Sequence, residues 1–220
     1  MVTLAQPWRS LAECGPMNAR RKTSPGFTLI NSMNQAVFLD RDGTVIEEKD
    51  YLHKVEEVAI FPGAPAALKR LQEAGFKLIF VTNQSGVGRG LFSMAELAAV
   101  HAHLLAELGR QGVRIDRIYI APEAPGQPSR GRKPSPQFLF EARDEFGLDL
   151  AGCYMVGDKL IDLQCGWNAG VNKSILVRTG YGAREEEKWR DQLGSAAVAD
   201  DLAGAATLIL DLESQARGAS

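Results

Sequence analysis

The chain predicts an α/β fold, a doubly wound, Rossmann-like parallel sheet with helices on both faces. Three observations carry this. Short runs rich in β-branched residues, among them "AVFLD", "KLIFVT" and "KSILVR", are continuously apolar rather than alternating, as strands covered on both faces are. Segments with apolar residues at helical spacing separate them, the pattern of βαβ units. Acids and hydroxyls follow several of the runs, and in such sheets ligands gather outside the carboxyl ends of the strands.

The elements follow in order. The first strand spans 36–40 and the second 77–82. Between them "PGAPAALKRLQEAGF" sets Ala64, Ala67, Leu68, Leu71 and Ala74 at helical spacing, closed by Gly75. "SMAELAAVHAHLLAELGRQG" opens on a Ser able to cap a helix that carries Leu97, Val100, Leu104, Leu105 and Leu108 on one face, and it leads into a third strand, "RIDRIYIAP". "PSPQFLFEARDEFG" has Pro at its start and Gly147 at its end, as a helix does. Strand four is "CYMVGD" (153–158), followed by a helix to about Ala169, strand five "KSILVR" (173–178), a short strand around "AAVAD" and the helix "LAGAATLILDLE".

Size and charge narrow the function classes. A chain of 220 residues with 45% hydrophobic residues can bury one full core. The formal net charge of -2, with Lys and Arg spread along the chain, points away from nucleic acid and toward a small polar substrate. The apolar runs fall short of the roughly 18 residues of a membrane span, so no membrane partner is expected. Cys14, Cys153 and Cys165 form an odd, widely spaced set that reads as free thiols in a reducing compartment, hence a cytoplasmic protein. Residues 1–34 lack a continuous apolar region and are expected to be a disordered or extraneous tail, with the folded domain over 35–215. A monomer is expected.

The residues after the strands suggest the chemistry. Period-two alternation would put Asp40 and Asp42 on one side and Arg41 on the other, and two carboxylates in one space stay ionised only with a cation between them. Asp158 after strand four adds a third carboxylate, a set suited to Mg²⁺. Thr82 after strand two and Lys133 at a helix start offer a hydroxyl and a cation on the far side, where a phosphate would fit. Asp40 would then attack phosphorus, forming an aspartyl-phosphate, while Asp42 protonates the leaving oxygen and later takes a proton from water. Gly43 would allow a sharp turn beside the phosphate.

In order and on these elements, "DRDGT", "VTNQSG", "RKP" and "GDKLID" resemble the motifs of the haloacid dehalogenase (HAD) superfamily of phosphatases, a likeness that covers most of residues 35–212. The resemblance implies a HAD core, Asp40 as nucleophile, Asp42 as acid/base, and Mg²⁺ on Asp40, Asp42 and Asp158. Thr82 and Lys133 would steady the phosphoryl group. "YLH", "FPG", "VTNQSGVGRG" and "VRTG" are similar to the heptose-bisphosphate phosphatase branch, which implies removal of the 7-phosphate of D-glycero-D-manno-heptose 1,7-bisphosphate. Asn83, Gln84, Ser85, Arg132 and Lys159, with a flap of Glu48, Lys49, Asp50 and Tyr51, would contact this sugar phosphate. That branch usually carries a zinc loop, but Ala121, Glu123, Ser129 and Gly131 stand at its ligand positions, so no zinc is expected. With about twenty residues between Asp42 and Pro62 there is room for a flap and none for a cap domain.

Other readings stay open. Histidinol-phosphate phosphatase shares the motif style, and a phospho-receiver domain also gathers Asp, Thr and Lys on such a sheet, though without an acid two residues after its phosphorylated Asp. "SGVGRG" lacks the P-loop ending and reads as a flexible substrate loop. Asp162 is either a partner of the metal or of Lys133, or a helix N-terminal acid. His101 and His103 read as surface or packing residues, His53 as a flap residue, and Trp167 and Trp189 as packing residues. "REEEKW" reads as a solvated helix face.

Overall fold

A computed structural model describes residues 34–218, so the tail expected over 1–34 lies outside the described residues except for Asn34. Six strands form one sheet in the order β3-β2-β1-β4-β5-β6. They are β1 (Ala36–Leu39), β2 (Lys77–Asn83), β3 (Arg117–Ala121), β4 (Tyr154–Gly157), β5 (Lys173–Val177) and β6 (Ala197–Ala199). Every pairing is parallel, with Phe38 beside Ile79 on one flank and Met155 on the other. The chain winds outward from β1 in one direction and from β4 in the other, so the expected doubly wound sheet is present. The crevice between β1 and β4 is its switch point.

Among the described residues seven helices accompany the sheet: α1 (Ala64–Glu73), α2 (Ser85–Gly88), α3 (Met94–Arg110), α4 (Gln137–Phe146), α5 (Leu160–Ala169), α6 (Gly182–Lys188) and α7 (Leu202–Gly218). Ser93 caps α3 through a reciprocal pair, its Oγ accepting from Glu96 N while its own N–H donates to the Glu96 carboxylate. The alternation of β1 distributes its residues to two cores. Val37 and Leu39 join Leu68, Leu71, Leu104 and Ile209 on one face, and Ala36 and Phe38 join Phe138, Leu139, Met155 and Cys165 on the other. Cys153 and Cys165 are buried free thiols, and Trp167 and Trp189 pack on a third cluster with Leu163 and Leu176.

Two expectations need correction. "SGVGRG" is not wholly loop, because Ser85–Gly88 closes a helical turn in which Arg89 N donates to Ser85 O. The helix Gly182–Lys188 is not only solvated, because Glu185 accepts a hydrogen bond from Leu160 N and so ties α6 to the start of α5. Among the described residues the span between β1 and α1 holds only isolated bridges of Ile46 and one 3₁₀ turn, Val55–Glu57, so no cap stands over the sheet. No helix there is long and apolar enough to cross a membrane.

α3 turns His101 inward, where it is 6% exposed and its Nε2 lacks a hydrogen-bond partner. Burial, and then the charge of Arg41, lower its pKa to about 3, below the ordinary value of 6.5. The folded protein therefore holds this imidazole neutral while the unfolded chain takes up a proton below about pH 6.5, so acid draws the equilibrium toward unfolding. Between pH 6.5 and 5 this one group should remove up to about 2 kcal/mol of stability. Urea unfolding of His101→Phe over that interval should show a correspondingly flatter pH dependence than the parent chain.

Candidate active site

The site assembles where β1 and β4 end side by side. Asp40 N donates to Val156 O at 2.9 Å, which fixes the residue after β1 against β4. Asp158 follows β4, and Asp162 lies in the first turn of α5, where its Oδ2 accepts from Lys159 N at 3.0 Å. Oxygens of Asp40, Asp158 and Asp162 come within 4.8 Å of one another, all buried. Lys133, 3% exposed, reaches in from the loop before α4, with Nζ 2.7 Å from Asp40 Oδ1 and 2.6 Å from Asp162 Oδ1. Burial by itself would lower the lysine's pKa, but Asp162 and Asp40 more than reverse that and hold it above the usual lysine value. Asp162 is thus both alternatives at once, the partner of Lys133 and the acid capping α5.

Negative charge at this point exceeds what the side chains neutralise. Burial, then the neighbouring Asp40, push Asp158 up to about 8. Asp158 Oδ2 accepts from Tyr181 N at 2.9 Å, whereas buried Oδ1 accepts no hydrogen bond and lies 3.9 Å from the nearest ammonium, that of Lys159. An orphaned carboxylate oxygen among three convergent acids fits a hard divalent cation. Backbone packs against the opposite side of Asp158. A methyl group on Gly43 would meet Asp158 Oδ2 at 2.2 Å and one on Gly180 would meet it at 2.3 Å, and both glycines have positive φ.

Asp42 is placed differently from the expectation. β1 ends at Leu39, so period-two alternation does not carry through residues 40–42. The Asp42 carboxylate stands apart from the three-acid group and is gripped by Arg41, Nε to Oδ2 at 3.1 Å and Nη2 to Oδ1 at 2.9 Å. Arg41, expected to project away, is fully buried. Gln84 Nε2 completes the grip, 2.8 Å from Asp42 Oδ2 and 2.8 Å from Thr82 Oγ1.

A cavity of about 310 Å³ opens above these groups, lined by Asp40, Asp42, Ser85, Arg132, Lys133 and Lys159 together with flap residues Glu48, Asp50 and Tyr51. Lys159 Nζ bridges to Glu48 Oε2 at 2.9 Å and lies 4.6 Å from the centroid of the Tyr181 ring, whose hydroxyl donates to Asp50. Tyr51 at the flap tip has φ 61, rare for a side chain of its size. Three of the expected sugar contacts have other engagements. Asn83 clamps the backbone of Lys133 from both sides, Gln84 holds Asp42, and Lys49 lines an adjoining cavity while donating to Glu57 O. His53 stacks on Phe92. Where zinc ligands would sit, Ser129 Oγ donates to Glu123 Oε2 at 2.6 Å and Arg132 Nη1 donates to Glu123 O. Tyr181, Gly180 and the grip of Arg41 were missed from sequence. "GYG" carries no chemical signal, whereas the place of Asp162 one helical turn after Asp158 was a usable clue.

A buried lysine between acids at the switch point of a parallel sheet, beneath an open polar cavity, suits phosphoryl transfer. A family model described as HAD-hyrolase-like matches residues 131–205. The D-glycero-beta-D-manno-heptose-1,7-bisphosphate 7-phosphatases of Escherichia coli (strain K12) and Yersinia pestis are 40% and 38% identical over 152 residues, covering 66% of this chain and 80% and 81% of theirs. The crystal structure of the D,D-heptose 1,7-bisphosphate phosphatase from B. bronchiseptica, complexed with magnesium and phosphate, superposes with a TM-score of 0.76. It is 34% identical and covers 82% of this chain and 99% of that one. The chain belongs to this family of HAD-type phosphatases.

Because Gly43 combines φ 79 with its approach to Asp158, Gly43→Ala should cost about 1–3 kcal/mol in stability. It should also weaken Mg²⁺ binding at least about tenfold through displacement of that carboxylate. Thermal unfolding and calorimetric Mg²⁺ titration check the two effects separately.

Proposed function

We propose that the enzyme removes the 7-phosphate of D-glycero-D-manno-heptose 1,7-bisphosphate, with Asp40 as nucleophile. The supporting observation is the state of Asp40. Lys133 holds Oδ1, while among the described residues Oδ2 takes no hydrogen bond and the residue faces the cavity. Asp40 attacks phosphorus, a carboxylate–phosphorus bond forms, and the bond to the sugar oxygen breaks as Asp42 delivers a proton to that oxygen. Asp42 then accepts a proton from water as the water oxygen bonds to phosphorus. Inorganic phosphate leaves and Asp40 is regenerated.

Asp40 and Asp158 would hold Mg²⁺, with Asp162 alongside and occupied by Lys133. The ion, when bound, supplies neutralising charge for the phosphoryl oxygens. Lys133 does the same from the protein side, and the Thr82 hydroxyl donates to the same group. Arg132, Lys159, Ser85 and the flap carboxylates line the remaining space and are the groups offered to the sugar hydroxyls and the second phosphate. We further propose a cytoplasmic monomer that needs no zinc, its loop being held by Glu123, Ser129 and Arg132.

Phosphate release from the heptose bisphosphate should require Mg²⁺, stop on chelation and return on adding Mg²⁺ back, with no requirement for zinc. It should fall to background in Asp40→Asn. Histidinol phosphate assayed side by side should be turned over far more slowly, and equal or reversed rates would reject the sugar assignment.

A further inference from the structure

Gln84 is read from sequence as a contact to the sugar, yet its side chain is 5% exposed and faces the protein interior beside the acid/base. Its backbone is pinned on both sides, N donating to Ala121 O at 2.8 Å and O accepting from Val87 N at 3.2 Å, where β2 passes into α2. The side chain leaves this fixed point with one amide nitrogen, and that nitrogen has two hydrogens. One goes to Asp42 Oδ2 and the other to Thr82 Oγ1, each at 2.8 Å.

Two consequences follow from that donor count. Thr82 Oγ1 is committed as an acceptor, so its own proton is left for a phosphoryl oxygen, which is the role of a donor in the cradle. Asp42 is held between Gln84 on one side and the two-point grip of Arg41 on the other, so its carboxylate keeps one orientation. We infer that Gln84, with Arg41, is a positioning residue that locks the acid/base Asp42 and the phosphate-binding Thr82 into one unit. This rests on the acid/base reading of Asp42.

The leaving group provides the test. A sugar alkoxide needs a proton as it departs, whereas 4-nitrophenolate does not, so misplacing Asp42 should penalise the first far more. In the full chain with Mg²⁺ saturating, Gln84→Leu should lower kcat/KM, which reports transfer to Asp40 and not the water step common to both esters, about a hundredfold on heptose 1,7-bisphosphate and by no more than about tenfold on 4-nitrophenyl phosphate. Arg41→Lys, which keeps the charge and loses the two-point grip, should show the same pattern more weakly. Should Gln84→Leu fail to fold, Gln84→Glu has nearly the same shape and should show the same split, since a carboxylate cannot donate to Asp42. The losses from Gln84→Leu and Thr82→Val should be less than additive in the double variant. Equal losses of kcat/KM on both esters, or no loss of kcat/KM on either, would overturn the inference. Asp42→Asn is the control: if it shows no dependence on the leaving group, the acid/base reading itself has failed and the positioning role with it. If the heptose ester proves a poor substrate, any alkyl phosphate the parent enzyme hydrolyses serves in its place, which keeps this outcome separate from the sugar assignment.

Discussion

The ammonium of Lys133, shut away from water between Asp40 and Asp162, is the contact on which the site depends. Two carboxylates this close in a poorly solvated place repel and would tend to protonate. A buried cation between them offsets that repulsion, and removing one member of such a set typically costs about 3–5 kcal/mol because the others remain uncompensated. The lysine is not left to find its place. Asn83 accepts from its N–H and donates to its carbonyl, so the end of β2 sets the height of the loop before α4. One ion cluster thereby joins the ends of β1 and β2, the loop before α4 and the first turn of α5.

Around that centre the charges separate into two shells with different duties. Asp40, Asp158 and Asp162 form a dense anionic pocket suited to a cation. Asp42 is drawn aside by Arg41 and Gln84, so that its carboxylate stands apart from that pocket. Lys159 is shared between Glu48 and the Tyr181 ring, and burial raises the pKa of Glu48 even though Lys159 opposes it. Among the described residues no cap closes over the cavity rim, and short loops form it. The loop that bears Arg132 is held by the Ser129–Glu123 pair, by Arg132 on Glu123 O, by Arg130 on Glu141 and by Asn83 on the Lys133 backbone.

Much of this was legible in the chain itself, and the exceptions have a physical pattern. Continuous apolar runs and helix-period stretches locate all six strands to within a residue or two, apart from the longer span read for β3, because burial on both faces leaves a direct mark on composition. Asp40, Asp158, Thr82 and Lys133 are visible as polar residues at strand and helix ends. Asp42 was misplaced because the alternation rule was carried past the last strand residue, where a bridge and a turn take over. Sequence shows a polar residue near a site and not which way it turns: Asn83 lines the cavity as expected while also clamping Lys133, whereas Gln84 turns inward to Asp42. Tyr181 was invisible for a further reason: its backbone N–H is what binds Asp158, and every residue but proline has one.

The order of the strands has a consequence for how the protein comes into being. Asp40 and Asp158 stand on neighbouring strands though they are far apart along the chain. During synthesis the first half of the sheet, β1 to β3, can form while its innermost edge, the one later occupied by β4, is still bare. A nascent chain at that stage carries Asp40 without the rest of its charge set, and an open strand edge that invites wrong partners. The charge set and the closed sheet edge therefore both depend on β4 being seated beside β1.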